Sequence, residues 1–402
     1  MNSATAPSAP SAAPAVPDHP RSVQLLLNIG HAFDHLFLLI FATAVGTIAA
    51  EFGYARWEDL MPYGVGAFFL FGLGSVPAGR LGDLWGRRPM MLVFFHGLGV
   101  AALLTALAQN AWQLAGGLTL IGLFASIYHP VGIPMLVQHA LRPGRVIGVN
   151  GLAGNLGVAG AALLTGLLVQ AFGWRAAFAV PGVLSIACGV AFALLCGHQG
   201  AAPARRRKPP QVVLPPRLLA RALVVMTAAA VTGSLLFNFT TNGNTQLLTE
   251  RFDGLIDDPA RIGLLLAAIY TVASLSQLLV GRLIDRMPLK RLYLGLVLAQ
   301  IPWLLCAAFF SGWWLFAALL GVMVCIFGAI PFTDAMIVRY VDDSVRSRVA
   351  GMRLAVSFGI SSIAVWLLGP IVKSASFATL FVGMAGIALC TALVVLLLPA
   401  ER

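Results

Sequence analysis

Long apolar runs separated by short polar stretches fill this chain from its third decade to its last. A helix rising 1.5 Å per residue needs roughly 20 apolar residues to cross the hydrocarbon core of a bilayer. Twelve runs meet that length, at 25–49, 61–79, 90–108, 112–136, 147–171, 175–196, 218–248, 260–280, 291–311, 313–337, 349–372 and 376–398. The stretch between runs six and seven holds Arg205-Arg206-Arg207-Lys208 with Pro209-Pro210 and Pro215-Pro216. It reads as a solvated linker, 198–216, joining bundles over 22–197 and 217–402. The first twenty residues are rich in Pro, Ala and Ser and show no basic segment leading into an apolar one. They are expected to form a disordered cytoplasmic tail, 1–21, rather than a signal peptide.

The loop after run two reads Gly79-Arg80-Leu81-Gly82-Asp83-Leu84-Trp85-Gly86-Arg87-Arg88-Pro89. A partial copy follows run eight, where Gly281, Arg282, Leu283 and Asp285 stand 202 positions after Gly79, Arg80, Leu81 and Asp83. Arg145, Val146, Gly148 and Gly166 match Arg348, Val349, Gly351 and Gly369 in the same way, 203 positions on. A duplicated six-helix half accounts for both sets, and duplicated halves are how many secondary transporters are built. The predicted fold class is therefore all-α, integral to the membrane, with twelve transmembrane helices in two pseudo-symmetric halves.

Composition agrees with that reading and removes others. Apolar residues make up 59% and charged residues 10%, against roughly 25% charged in soluble domains. The 26 Lys+Arg against 15 Asp+Glu give a net charge of +11. These cations sit in short loops and form no continuous basic face, which argues against a nucleic-acid partner. With the N-terminus inside, only Arg56, Arg175, Arg251, Arg261 and Lys373 fall on the outer side. The positive-inside rule then places both termini in the cytoplasm. The five cysteines lie inside apolar stretches without close pairing and read as small buried hydrophobes.

On Gly79–Arg88, with its glycine, spaced acidic residue and paired arginines, the chain resembles the major facilitator superfamily. Run count, linker, repeat and predicted termini agree over about residues 22–400. The resemblance implies a transporter in which Asp83, Arg87 and Arg88 form a charge clasp with neighbouring helix ends that holds in one conformation and breaks in another, with Asp285 the matching gate residue of the second half. Asp83 is suited to the positive end of a helix starting at the cytoplasm. Ser126-Ile127-Tyr128-His129-Pro130 in run four, with the His and Asp group of run one, looks most like the fosmidomycin-resistance type of exporter. Two features of drug/proton antiporters are absent: Leu118 stands where an arginine precedes Gly122, and Gly166 is followed by Leu167 rather than proline.

Ionisable residues inside apolar runs are functional candidates by default. His31, Asp34 and His35 share one helix face at i, i+3 and i+4. His129 lies at similar depth on run four, which the resemblance places beside run one at the central cavity. A carboxylate opposite an imidazole is suited to proton coupling, so Asp34, His129, His35 and His31 are the expected coupling group. No sulfur or second carboxylate sits at metal-ligand spacing, and no metal or other cofactor is expected. Phe37, Tyr128, Asn238 and Asn242 are the expected substrate-cavity residues, amid the polar series Asn238, Thr241, Asn242, Asn244 and Gln246. Asp334 and Arg353 are expected to pair as a gate or packing contact.

The sequence thus predicts a secondary transporter of a bacterial-type inner membrane, working by alternating access. A small organic solute is its expected substrate, protons its expected coupling ion, export its expected direction and monomer its expected state. A gradient-independent facilitator or importer of a metabolite, and a transport-dead membrane receptor, stand as alternatives. No phosphate-cradling Gly-x-x-x-x-Gly-Lys-Ser/Thr pattern occurs, and no nucleophile–base set converges at one depth, so an enzyme is not expected.

Overall fold

The computed structural model describes residues 20–138, 140, 143–197, 215–284, 286–340 and 346–398. Of the expected tail 1–21, residues 1–19 lie outside the described residues, as do most of the linker and Asp285, while Arg21 already belongs to the first helix. Among the described residues, twelve helices are long and apolar enough to span a membrane. They are α1 Arg21–Glu51, α2 Trp57–Trp85, α3 Arg87–Ala106, α4 Ala111–Val137, α5 Pro143–Phe172 and α6 Trp174–Leu195 in the first half. The second half holds α7 Pro216–Arg251, α8 Pro259–Ile284, α9 Leu289–Phe309, α10 Gly312–Tyr340, α11 Arg346–Ser374 and α12 Phe377–Val395. All twelve predicted runs correspond to helices, mostly extended at their ends by residues that carry charge or cap. Gly86 reverses the chain between α2 and α3 in a single residue, at a φ of 93° that favours glycine.

The halves repeat each other in packing as well as in sequence. In the first, α1 packs on α5, α2 on α4 and α3 on α6; in the second, α7 packs on α11, α8 on α10 and α9 on α12. The halves meet through α5 on α8 and, at the equivalent place, α2 on α11. At both crossings, near the end where α1 finishes (the distal end), the repeated glycines stand against backbone of the other half. A methyl added to Gly166 would lie 2.4 Å from the Pro259 carbonyl oxygen, and one on Gly369 would lie 2.3 Å from that of Glu58. Small residues let helices approach closely where lipid supplies no hydrophobic drive between them.

Polar contacts join the same end. Lys373 of α11 ion-pairs with Asp59 of α2, and the Ala260 N–H donates to Gln170 Oε1 at 3.3 Å. The Trp57 and Phe377 rings stack at 6.0 Å between centroids. Further in, Gln246 of α7 donates to the Ala42 carbonyl of α1 at 3.5 Å. This conformation is therefore one in which the halves are drawn together at the distal end.

Candidate functional site

Each half spends most of its polar residues at a different place. In the first half the chemistry gathers between α1, α4 and α5. α1 starts at Arg21, so Asp34 lies about 20 Å along it at 1.5 Å per residue. Helical periodicity puts His31, Asp34 and His35 on one face. α4 supplies the fourth member through an irregularity: Tyr128–Gly132 form a π-helical turn in which the Ile133 N–H bonds to Tyr128 O. Pro130 carries no N–H for a regular ladder there, so the local backbone has a reason to widen. Such turns recur at functional sites. This one delivers His129 to α1.

The result is one carboxylate among three imidazoles. Asp34 is fully buried, and its Oδ2 lies 3.4 Å from His129 Nε2. The ring of His31 is 5.1 Å from those of both His35 and His129, and the latter two are 5.7 Å apart. The ligand-type atoms of all four side chains lie within 4.8 Å of one another. His129 and His35 keep partial exposure while His31 and Asp34 are buried. Neither oxygen of Asp34 has a hydrogen-bond partner among the described residues, and neither has His31 Nε2.

A second layer fixes the imidazole of His31. Its Nδ1 lies 2.7 Å from the backbone carbonyl oxygen of Asn150 on α5. A carbonyl only accepts, so Nδ1 carries the proton and Nε2 presents its lone pair. The ring stacks on Tyr128 at 4.8 Å and 14°. Tyr128 donates to the Leu27 carbonyl at 2.7 Å and accepts from the Asn150 side chain, which also donates to Asn28 Oδ1 at 2.9 Å. Gly154 leaves room for the ring, since a methyl there would lie 2.6 Å from His31 Cε1. Asn28 and Asn150 were not singled out from sequence, although an amide inside an apolar run is itself a signal.

The expected cavity residues are placed differently. Tyr128 and Phe37 are fully buried, so neither reaches open space in this conformation. Tyr128 stacks on His31 and bonds Leu27 and Asn150. Asn238 donates to Ser361 Oγ at 2.8 Å and ties α7 to α11. Asn242 donates to the Asn238 carbonyl at 3.0 Å, while its own Oδ1 has no partner among the described residues. Asn244, on the neighbouring face, contacts Tyr270 at 3.3 Å and likewise leaves its Oδ1 unpaired.

Both loop arginines reach the ends of neighbouring helices. Arg87 donates to Pro134 O and Gln138 Oε1, both at 2.8 Å, at the end of α4. Arg88 donates to Cys196 O at 2.5 Å and Ala193 O at 2.8 Å, at the end of α6. Asp83 is exposed and makes no hydrogen bond or ion pair among the described residues. The repeat explains Arg88: Lys290, 202 positions on, donates to Leu396 O at 2.6 Å and Leu398 O at 3.0 Å beyond α12. In both halves a cation closes the carbonyl end of the last helix, a favourable placement for charge. Arg353 of α11 donates to Thr333 Oγ1 at 2.8 Å, next to Asp334, whose side chain is outside the described residues.

Capping predicts a stability effect. Arg88→Ala removes two charge-assisted bonds and is expected to cost about 2 kcal/mol, whereas Arg80→Ala, at an exposed position, should leave stability nearly unchanged. Thermal melting of the two variants in detergent measures this, and equal melting would remove the capping role.

Comparison with known proteins places this architecture. The sequence profile of the Major Facilitator Superfamily matches residues 27–255 and 253–402. Multidrug resistance protein MdtG of Yersinia enterocolitica is 27% identical over 164 residues, 40% of this chain and 38% of that protein. A "Probable actinorhodin transporter" of Streptomyces coelicolor is 30% identical over 147 residues, 35% of this chain and 25% of that protein. The matches thus span between a quarter and two-fifths of these relatives. A bacterial homolog of the human lysosomal transporter Spinster, in an inward-facing and occupied conformation, superposes with a TM-score of 0.74 at 14% identity, covering 96% of this chain and 97% of that one.

Proposed function

This chain belongs to the major facilitator superfamily, and from that premise we propose that it is a proton-coupled exporter of a small organic solute. It is a multi-pass membrane protein with the transporter fold. The observation that carries the coupling assignment is Asp34, fully buried midway along α1 and 3.4 Å from His129. A charge at that depth is costly without a counterion or a proton, so proton arrival and the His129 contact are alternatives for the same oxygen. In the proposed cycle Asp34 is the group that exchanges its proton between the two sides, with His129 as its partner. The relatives named for multidrug resistance and actinorhodin transport support export of an organic compound. Asn242 and Asn244, with unpaired amide oxygens, are the proposed contacts for donors on that solute, with Asn238 and Phe37 as further proposed cavity residues.

The proposal includes a monomer in a bacterial inner membrane with both termini cytoplasmic. Under that orientation the distal end is the outer one, and this state is closed outward. Cysteine at Arg286 is expected to label from the cytoplasm and cysteine at Asp257 from outside; the reverse pattern would invert the orientation. Transport into proteoliposomes with and without an imposed pH gradient tests coupling. Flux that ignores the gradient would instead favour the facilitator, and the absence of any solute flux would favour the receptor.

A further inference from the structure

The geometry points to a divalent transition-metal site formed by His31, Asp34, His35 and His129, of the zinc, cobalt and nickel class. It goes beyond the coupling assignment and does not depend on it. Three imidazole nitrogens and one carboxylate oxygen form a tetradentate donor set from two helices, and their ligand atoms already lie within 4.8 Å. Around a tetrahedral zinc with bonds of about 2.0 Å, ligand atoms stand about 3.3 Å apart. Side-chain rotation alone has to supply the difference, since the carboxylate and His129 are at 3.4 Å already.

Two observations distinguish this cluster from chance proximity of polar residues. First, His31 is held as a metal ligand is held. Its Nδ1–H bonds a backbone carbonyl at 2.7 Å, the outer contact that fixes tautomer and ring orientation in metal-bound histidines. Second, the buried atoms facing inward are electron-pair donors without hydrogen-bond partners: His31 Nε2, Asp34 Oδ1 and Asp34 Oδ2. Buried polar atoms are ordinarily paired, and a cation bound among them takes His31 Nε2 and one Asp34 oxygen as ligands. Donor chemistry selects the class, because nitrogen-rich sets suit zinc and its neighbours while magnesium and calcium need more oxygens. Partial exposure of His35 and His129 leaves an entry path.

The test uses the untagged full chain, stripped with chelator and held in detergent without any gradient, titrated with Co²⁺ and then Zn²⁺. One Co²⁺ per chain is expected, with the visible bands of a tetrahedral site, displaced stoichiometrically by Zn²⁺. His31→Ala, Asp34→Asn, His35→Ala and His129→Ala should each weaken binding at least about tenfold, and His96→Ala, on α3, should not. Gly154→Ala keeps all four ligands but crowds His31, so it should weaken binding too; it keeps the test decisive where a ligand variant fails to stay monodisperse. Absence of stoichiometric Co²⁺ binding, or binding that survives these substitutions, overturns the site. Because no transport is measured, failure here leaves proton coupling untouched, and gradient-independent transport leaves the metal site untouched.

Discussion

Asp34→Asn is expected to reduce gradient-driven accumulation of solute to the level of protein-free vesicles while leaving solute exchange close to the wild-type rate. The two assays separate coupling from binding. Accumulation needs a group that changes charge as the cycle proceeds; exchange needs only that the loaded protein reorient. Asparagine keeps the size of aspartate and an acceptor oxygen toward His129 but removes the charge. The packing of α1 against α5 should therefore survive, since Asp34 makes no hydrogen bond that the change would break. Working in excess chelator removes any contribution from bound metal. Wild-type accumulation in this variant would show that Asp34 is not the coupling residue, and loss of exchange as well would move it from coupling to folding or solute binding.

What the sequence shows of this site is set by distance along the chain. Helix number, the duplicated halves and the His31/Asp34/His35 face are local or periodic signals, and the structure reproduces them. The similar depth of His129 was readable by counting residues inward from a loop. Its place beside α1 came from the family resemblance, since nothing in the spacing of residues on run four itself points to run one. The metal-type donor set was not expected: spacing on α1 offers three ligands, and the fourth arrives from a helix almost a hundred residues later. Arg87 and Arg88 carried a recognisable motif, but their partners are carbonyls at the ends of α4 and α6. A carbonyl has no residue-type signature, so the resemblance implied helix ends as partners without saying which ones. The Lys373–Asp59 pair was passed over since exposed charges near helix ends are ordinary topology signals.

The repeated glycines lead to the second large effect. Gly166→Val and Gly369→Val are each expected to shift the protein away from the state closed at the distal end, and the double variant to arrest transport. The argument is steric and symmetric. Each added Cβ would stand about an ångström inside normal contact with backbone of the other half, Pro259 in one case and Glu58 in the other. Backbone cannot step aside as a flexible side chain can, so the halves must separate there. In the proposed alternating-access cycle the other state separates these ends, and a perturbation that penalises one state of a two-state equilibrium shifts the population toward the other. Asp59→Cys with Lys373→Cys reports the closed state, because this inter-half pair is in contact in the conformation whose distal ends meet. Oxidative cross-linking of that pair should be fast with both glycines present, slower with either valine and slowest with both. Unchanged cross-linking in Gly166→Val, with the protein still monodisperse, would mean that the α5–α8 crossing does not limit closure.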